Sequence, residues 1–102
     1  MDKYIQVITT VNKRKLAKEI AKQLLEKRAA ACVQILPSRS FYRWEGNIEN
    51  QKEFVLLIKG KDFQKIGNII KEMHPYKVPE IIATQITSAN KEYLEWIDQS
   101  TQ

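Results

Sequence analysis

Few side chains in this sequence are able to do chemistry, and their spacing points to binding rather than catalysis. His74 is the only histidine, and a neutral imidazole suits copper or zinc. One donor does not make a site. A structural zinc takes four ligands, so metal capture at His74 would need donors brought in from neighbouring subunits of a symmetric assembly. The same residue stands before Pro75 at the expected end of a helix, where it could instead hydrogen-bond the last carbonyls. Cys32, the single cysteine, lies in an apolar stretch, where a free thiol behaves as a small buried hydrophobe; the alternative is a thiolate ligand. Glu45, Glu49, Glu53 and Glu80 offer carboxylates near Lys52 or Lys59, and burial of such a pair would perturb its acidity. There is no glycine-rich phosphate loop, no nucleophile elbow and no His-x-x-x-His pair, and no second histidine to activate a serine or cysteine. The expectation is a protein that is not an enzyme and requires no cofactor.

The elements that must position these residues follow from hydrophobic period. Tyr4 to Thr10 is rich in β-branched residues and reads as a strand, with Asn12 as the cap of the helix that follows. Leu16, Ile20 and Leu24 recur every four residues, with Ala17, Ala21 and Leu25 beside them, and this stripe predicts a helix ending near Arg28. Ala31–Leu36 and Ser40–Trp44 read as one strand interrupted at Pro37, which cannot donate a ladder hydrogen bond. After the polar Gly46-Asn47 and Glu49–Lys52, the apolar run Phe54–Ile58 predicts a strand covered on both faces and paired with its predecessor as a hairpin. Asp62 starts a second helix through Phe63, Ile66, Ile69, Ile70 and Met73, which must stop at His74-Pro75. Glu80–Ile86 is a fourth strand, and Ser88 or Asn90 caps a terminal helix. The order is β-α-β-β-α-β plus a C-terminal helix, an α+β ferredoxin-like split β-α-β sandwich with helices on one face of a mainly antiparallel sheet.

Size and charge bound the rest. The 102 residues, 43% apolar and 28% charged, fit a single domain over residues 1–102. Area scaling allows roughly 65% of the unfolded surface to be buried, enough to fold without disulfide or metal. A lone cysteine, and the absence of an apolar signal segment in Met1-Asp2-Lys3-Tyr4, lead to the expectation of a cytoplasmic protein. No apolar run approaches the roughly 18 residues of a membrane span, so no membrane partner is expected. From Asn12 to Arg28 seven basic residues face two acidic ones, equal to the whole excess of +5. With no aromatic among them to stack on a base, this is expected to be a solvated helix face rather than a nucleic-acid site.

The Ala31–Trp44 segment is too long for its domain. Extended at about 3.3 Å per residue it reaches about 46 Å, whereas a compact chain of this length fills a sphere about 33 Å across. The overhang carries Phe41, Tyr42 and Trp44, which with Ile35 are the expected subunit-interface residues, since such a patch needs a partner and a second copy is the simplest one.

Four stretches, followed by Tyr93-Leu-Glu-Trp96, carry a family resemblance: Tyr4-Ile-Gln-Val-Ile-Thr-Thr10, Arg28-Ala-Ala-Ala-Cys-Val33, Phe41-Tyr-Arg-Trp-Glu-Gly46 and His74-Pro-Tyr-Lys-Val-Pro-Glu-Ile81. In this order, over nearly the full length, the chain resembles the CutA divalent-cation tolerance proteins. The resemblance implies a tight homotrimer, cytoplasmic in bacteria, similar in architecture to PII-type signalling proteins, with a role in tolerance of copper and other divalent metals. It also implies a site for copper or a small ligand in clefts between subunits. Where copper binding is attributed to a first-strand cysteine and to the histidine of the His-Pro-Tyr segment, only His74 carries over, because Thr9 stands at the first-strand position. Ala29 replaces a usual leucine, Gln34 a frequent asparagine, and Asn50-Gln51-Lys52 a usually acidic hairpin turn. Two other functions fit the strand order. RNA-recognition modules share it, but their aromatic-glycine-aromatic run is missing from Glu53–Lys59. A phosphate-ester hydrolase would need glycines to cradle an anion after the first strand, where Thr10-Val-Asn-Lys-Arg stands.

Overall fold

The computed structural model describes residues 3–102; Met1 and Asp2, the start of the segment read as lacking a leader, lie outside the described residues. In chain order the elements are β1 (Ile5–Val11), α1 (Arg14–Glu26), β2 (Ala30–Trp44), β3 (Asn47–Gly60), α2 (Phe63–Met73), β4 (Ile82–Gln85) and α3 (Lys91–Ser100). The sheet order is β2-β3-β1-β4 with every neighbouring pair antiparallel. This is the split β-α-β arrangement expected from the periodicity.

Strict alternation along β1 places Ile5, Val7, Thr9 and Val11 on the buried face. That face meets Ala17, Ile20 and Leu24 of α1 and Ile66, Ile69 and Ile70 of α2, with Phe54, Leu56 and Ile58 of β3 completing the core. Gly60 ends β3 where α2 approaches: a Cβ there would lie 2.8 Å from the Ala29 carbonyl oxygen and 2.9 Å from Ile66 Cδ1. The opposite face is covered only at one end, where α3 sets Tyr93 beside Cys32 and Asp98 against Tyr4. Ile8, Val55 and Leu57 are half-buried on it, and Leu36 and Ile82 are exposed. Phe54–Ile58 was expected to be covered on both faces; in one subunit it is covered on one.

The β2–β3 hairpin is the longest feature. Its ladder runs without interruption from Val33↔Ile58 to Trp44↔Asn47, and the two-residue loop Glu45-Gly46 closes it with φ of 49° and 84°, as type I′ turns require. Pro37 pairs opposite Phe54 without breaking the strand. The predicted interruption there is absent, because β2 is an edge strand and an edge proline can turn its missing N–H outward. The register shift falls between Ala30 and Cys32 instead. Asn50-Gln51-Lys52 is strand, not turn. The arm stretches the subunit to 45 × 25 × 22 Å, and its surface of 6654 Å² exceeds the roughly 6,000 Å² of a compact chain of this mass.

Helix ends divide between expectation and correction. Asp62 caps α2 as predicted, accepting from the Lys65 N–H at 3.0 Å. Asn12 does not cap α1: β1 runs on to Val11, so the helix begins one residue later, with Lys13 at the cap and no side-chain hydrogen bond. At its other end α1 closes through left-handed Arg28, φ 56°, with the Ala29 N–H donating to the Leu24 carbonyl at 2.9 Å. Asn90 stands at the start of α3 but makes no side-chain cap.

α3 is held by charge. Asp98 accepts from the Tyr4 hydroxyl at 2.8 Å and from Lys61 Nζ at 3.0 Å, with Lys3 3.7 Å away. The Lys61 and Tyr4 hydrogen bonds hold the Asp98 carboxyl below its ordinary value. A depressed native pKa contributes stability that is full above the unfolded value, about 3.9, and lost as pH falls through the native one. In urea unfolding the gap between wild type and Asp98→Asn is therefore expected to be open at pH 7 and to close as pH drops below about 3.9; a gap independent of pH would contradict the network. Thr9 gives a second test. Its hydroxyl is fully buried and has no hydrogen-bond partner among the described residues, so Thr9→Val is expected to raise the unfolding free energy by about 1 kcal/mol. A loss would mean that the hydroxyl is satisfied.

Candidate ligand-binding site

At the arm end of the sheet, the segment between α2 and β4 crosses the uncovered face and forms the wall of an open groove of about 730 Å³. Thr10, Ser40, Tyr42, Glu49 and Glu53 contribute from the strands, and Tyr76, Lys77 and Glu80 from the crossing segment. Phe41 and Trp44 of the arm complete the aromatic lining.

The groove is organised by a relay that starts where α2 must end. Pro75 stops the helix, so His74 leaves it in an extended conformation, ψ 128°. Its Nδ1 accepts from the Tyr76 N–H at 3.2 Å, which assigns the ring proton to Nε2, and Nε2–H donates to the Thr10 carbonyl at 2.7 Å. The imidazole thus pins the crossing segment to the end of β1 instead of satisfying the helix carbonyls. Tyr76, edge-on to the ring at 4.7 Å, then donates its hydroxyl to Glu53 Oε2 at 2.5 Å. Burial, then this hydrogen bond and the Glu53 charge, push the Tyr76 phenol well above its ordinary value. Glu53 is 4% exposed, and no lysine or arginine pairs with it among the described residues.

The residues singled out in the sequence separate into groups. Phe41, Tyr42 and Trp44 stand exposed on the arm, Phe41 at 67%. Ile35, expected with them at an interface, is half-buried against the core of its own chain, where it pairs with Leu56 on the helix-covered face. Cys32 pairs opposite Lys59, four residues of β3 away from the Val55 opposite Thr10, or about 13 Å along the sheet. It lies beside Tyr93, whose phenol is raised by burial and then by the sulfur. His74 and Cys32 are therefore not one donor set, and among the described residues no three of His, Cys, Asp and Glu gather as metal ligands. Both imidazole nitrogens are already engaged, so the donors of a single chain do not fit a copper or zinc centre. Lys59 bonds Gln34 at 2.6 Å rather than a carboxylate. The Tyr76–Glu53 bond was missed in the sequence; the only signal was that the His-Pro-Tyr segment must end a helix and return over the sheet.

The pattern of the CutA1 divalent ion tolerance protein family matches residues 5–100. The chain belongs to this family. It is 44% identical over 98 residues to the divalent-cation tolerance protein CutA of Thermus thermophilus, with 93% of this chain and 95% of that protein covered. Against the protein of the same description from Archaeoglobus fulgidus it is 44% identical over 88 residues, covering 84% and 86%. The solved structure described as the periplasmic divalent cation tolerance protein CutA of Archaeoglobus fulgidus superposes with a TM-score of 0.95 at 40% identity, covering 97% of this chain and 99% of that one. The family inferred from the residues is thereby shown, and with it the fold.

Tyr76→Phe tests the relay. It strands a buried carboxylate and is expected to cost about 1.5–3 kcal/mol in urea unfolding at pH 7. Replacing both partners, as Glu53→Leu with Tyr76→Phe, is expected to cost less than the sum of the single changes. Strict additivity would show the two side chains to be uncoupled.

Proposed function

We propose that the chain is a noncatalytic, homotrimeric protein of divalent-cation tolerance, copper included, that works in the cytoplasm and binds copper or a small ligand in clefts between its subunits. In this reading its assembly is similar to that of the PII-type proteins. The observation that carries it is the uncovered apolar sheet face of Ile8, Leu36, Val55, Leu57 and Ile82, which Tyr42 and Trp44 continue onto the arm, with Phe41 and Ile48 exposed on the arm's other side. A lone subunit leaves this surface in water, which monomers avoid. The sheet also has two free edges, β2 and β4. Pairing one subunit's β2 edge with the next subunit's β4 edge is a head-to-tail contact, which closes into a ring when its rotation is a whole fraction of a turn, a third for three copies. Three copies would turn their apolar faces inward and place the Tyr76 groove beside each boundary. None of the described helices is long and apolar enough to cross a membrane.

Copper enters this reading as cargo and only on donors shared between subunits, since those of one chain do not form a centre. A small ligand needs no such rearrangement. The RNA alternative loses its stacking platform: on the uncovered face the central strands carry Gln6, Ile8, Thr10, Val55 and Leu57, with no aromatic residue.

Light scattering on the full chain is expected to give three subunits per particle, and Leu57→Glu, which puts a charge on the inward face, is expected to dissociate it. A stable, folded single subunit of the unsubstituted protein would overturn the proposal. Copper uptake measured beside it, with and without His74→Ala, decides the metal role: uptake unchanged by the substitution removes His74 as a ligand.

A further inference from the structure

The geometry points to a small organic cation, an amine or guanidine on an apolar chain, as the ligand of the Tyr76 groove, with Glu53 as its anchoring carboxylate. The inference rests on the reading of the cleft as a small-ligand site and specifies what that ligand must be. The chain carries a net charge of +5, yet the groove gathers Glu49, Glu53 and Glu80 against Lys77 alone. The segment Asn12–Arg28, which holds α1 and both its ends, carries a balance equal to the whole basic excess, so the local charge of the groove is opposite in sign to that of the molecule as a whole.

Glu53 is the decisive residue. A carboxylate offers about four lone-pair sites, and here only Oε2 is engaged, by the Tyr76 hydroxyl. Oε1 accepts no hydrogen bond among the described residues yet is not sealed off, since the buried unpaired side-chain atom there is Thr9 Oγ1, so in a side chain only 4% exposed it is the carboxylate atom that opens to solvent. A carboxylate so nearly enclosed, with one oxygen open to solvent beside the groove and no lysine or arginine paired to it among the described residues, favours a cation as its partner. The surfaces beside it are aromatic: Tyr76 itself, then Phe41, Tyr42 and Trp44. Ring faces attract a cation and cover its aliphatic stem at once. A bare metal ion fits less well, because Glu49 and Glu53 are separated by four residues of one strand, about 13 Å along the backbone, and no three potential ligands converge among the described residues. Carboxylates spread along an aromatic groove match a cation with length, in particular a linear di- or triamine whose ammonium groups reach separate carboxylates.

The test is calorimetric titration of the full-length oligomer with spermidine, with butylamine, citrate and magnesium as comparison ligands. Saturable spermidine binding, weaker binding of butylamine and none of citrate are expected. Glu53→Gln is expected to weaken spermidine about tenfold to a hundredfold, the worth of a charge-assisted hydrogen bond. Two variants at less buried positions keep the test decisive should Glu53→Gln not fold. Glu49→Gln is expected to weaken spermidine more than butylamine, and Lys77→Ala, which removes the only cation of the lining, is expected to tighten both. Absence of spermidine binding, preference for citrate or magnesium, or weaker binding in Lys77→Ala would each overturn the assignment. A lysine-containing peptide that binds where free amines do not would also overturn it, in favour of a protein partner. Light scattering on the same samples separates the two levels: a trimer that ignores amines sinks this inference alone, whereas a folded monomer sinks the assembly on which it rests.

Discussion

A four-stranded sheet has two faces, and the helices of this chain bury one, with α3 reaching only the Tyr4–Cys32 end of the other. That constraint governs the rest of the molecule. α1 and α2 close over Val7, Val11, Leu56 and Ile58 and leave a dry, compact core, but the opposite face keeps aliphatic side chains at Ile8, Val55 and Leu57, where a monomer would carry polar ones. At about 25 cal/mol per Å² of apolar surface, covering such a face would stabilise the fold further. The long hairpin extends the same problem beyond the body of the domain, with Phe41 and Ile48 nearly as exposed as surface polar residues. The arm accounts for the elongated shape and, together with the open sheet face, for the excess area.

The groove is a consequence of how the chain returns across that face. Pro75 forbids α2 to continue, His74 ties the return to the end of β1 with both of its nitrogens, and Tyr76 is delivered onto Glu53. The histidine thus has a structural task that competes with metal ligation, and the buried carboxylate acquires a hydrogen bond without acquiring a countercharge. A groove with acid and aromatic faces is the product of these local rules, each of which involves ordinary backbone stops and side-chain pairing.

Much of this was legible in the sequence because it depends on local pattern. The four-residue recurrence of Leu16, Ile20 and Leu24 and the cap at Asp62 give their helices directly, and the length of Ala31–Trp44 announces an arm that outruns the core. Pro37 misled because a proline is read without knowledge of which strands are edges. Asn12 misled because a cap depends on where the preceding strand stops, and β1 ran on to Val11. The Glu53–Tyr76 pair joins positions 23 apart in sequence, and burial of the carboxylate arises only when the α2–β4 segment lies down on the sheet, so no spacing rule could reveal it. The family resemblance supplied the expectation of a cleft; the charge and aromatic character of the groove came from the structure.

The most direct test of the central claim is the dependence of the chemical unfolding midpoint on protein concentration. If the uncovered face is buried only by sister subunits, folding and association are one reaction, and the midpoint rises steadily with concentration across the range in which the oligomer assembles. A midpoint that stays fixed while the protein is diluted to well-folded single subunits would contradict the account, because the apolar face would then be tolerated in water.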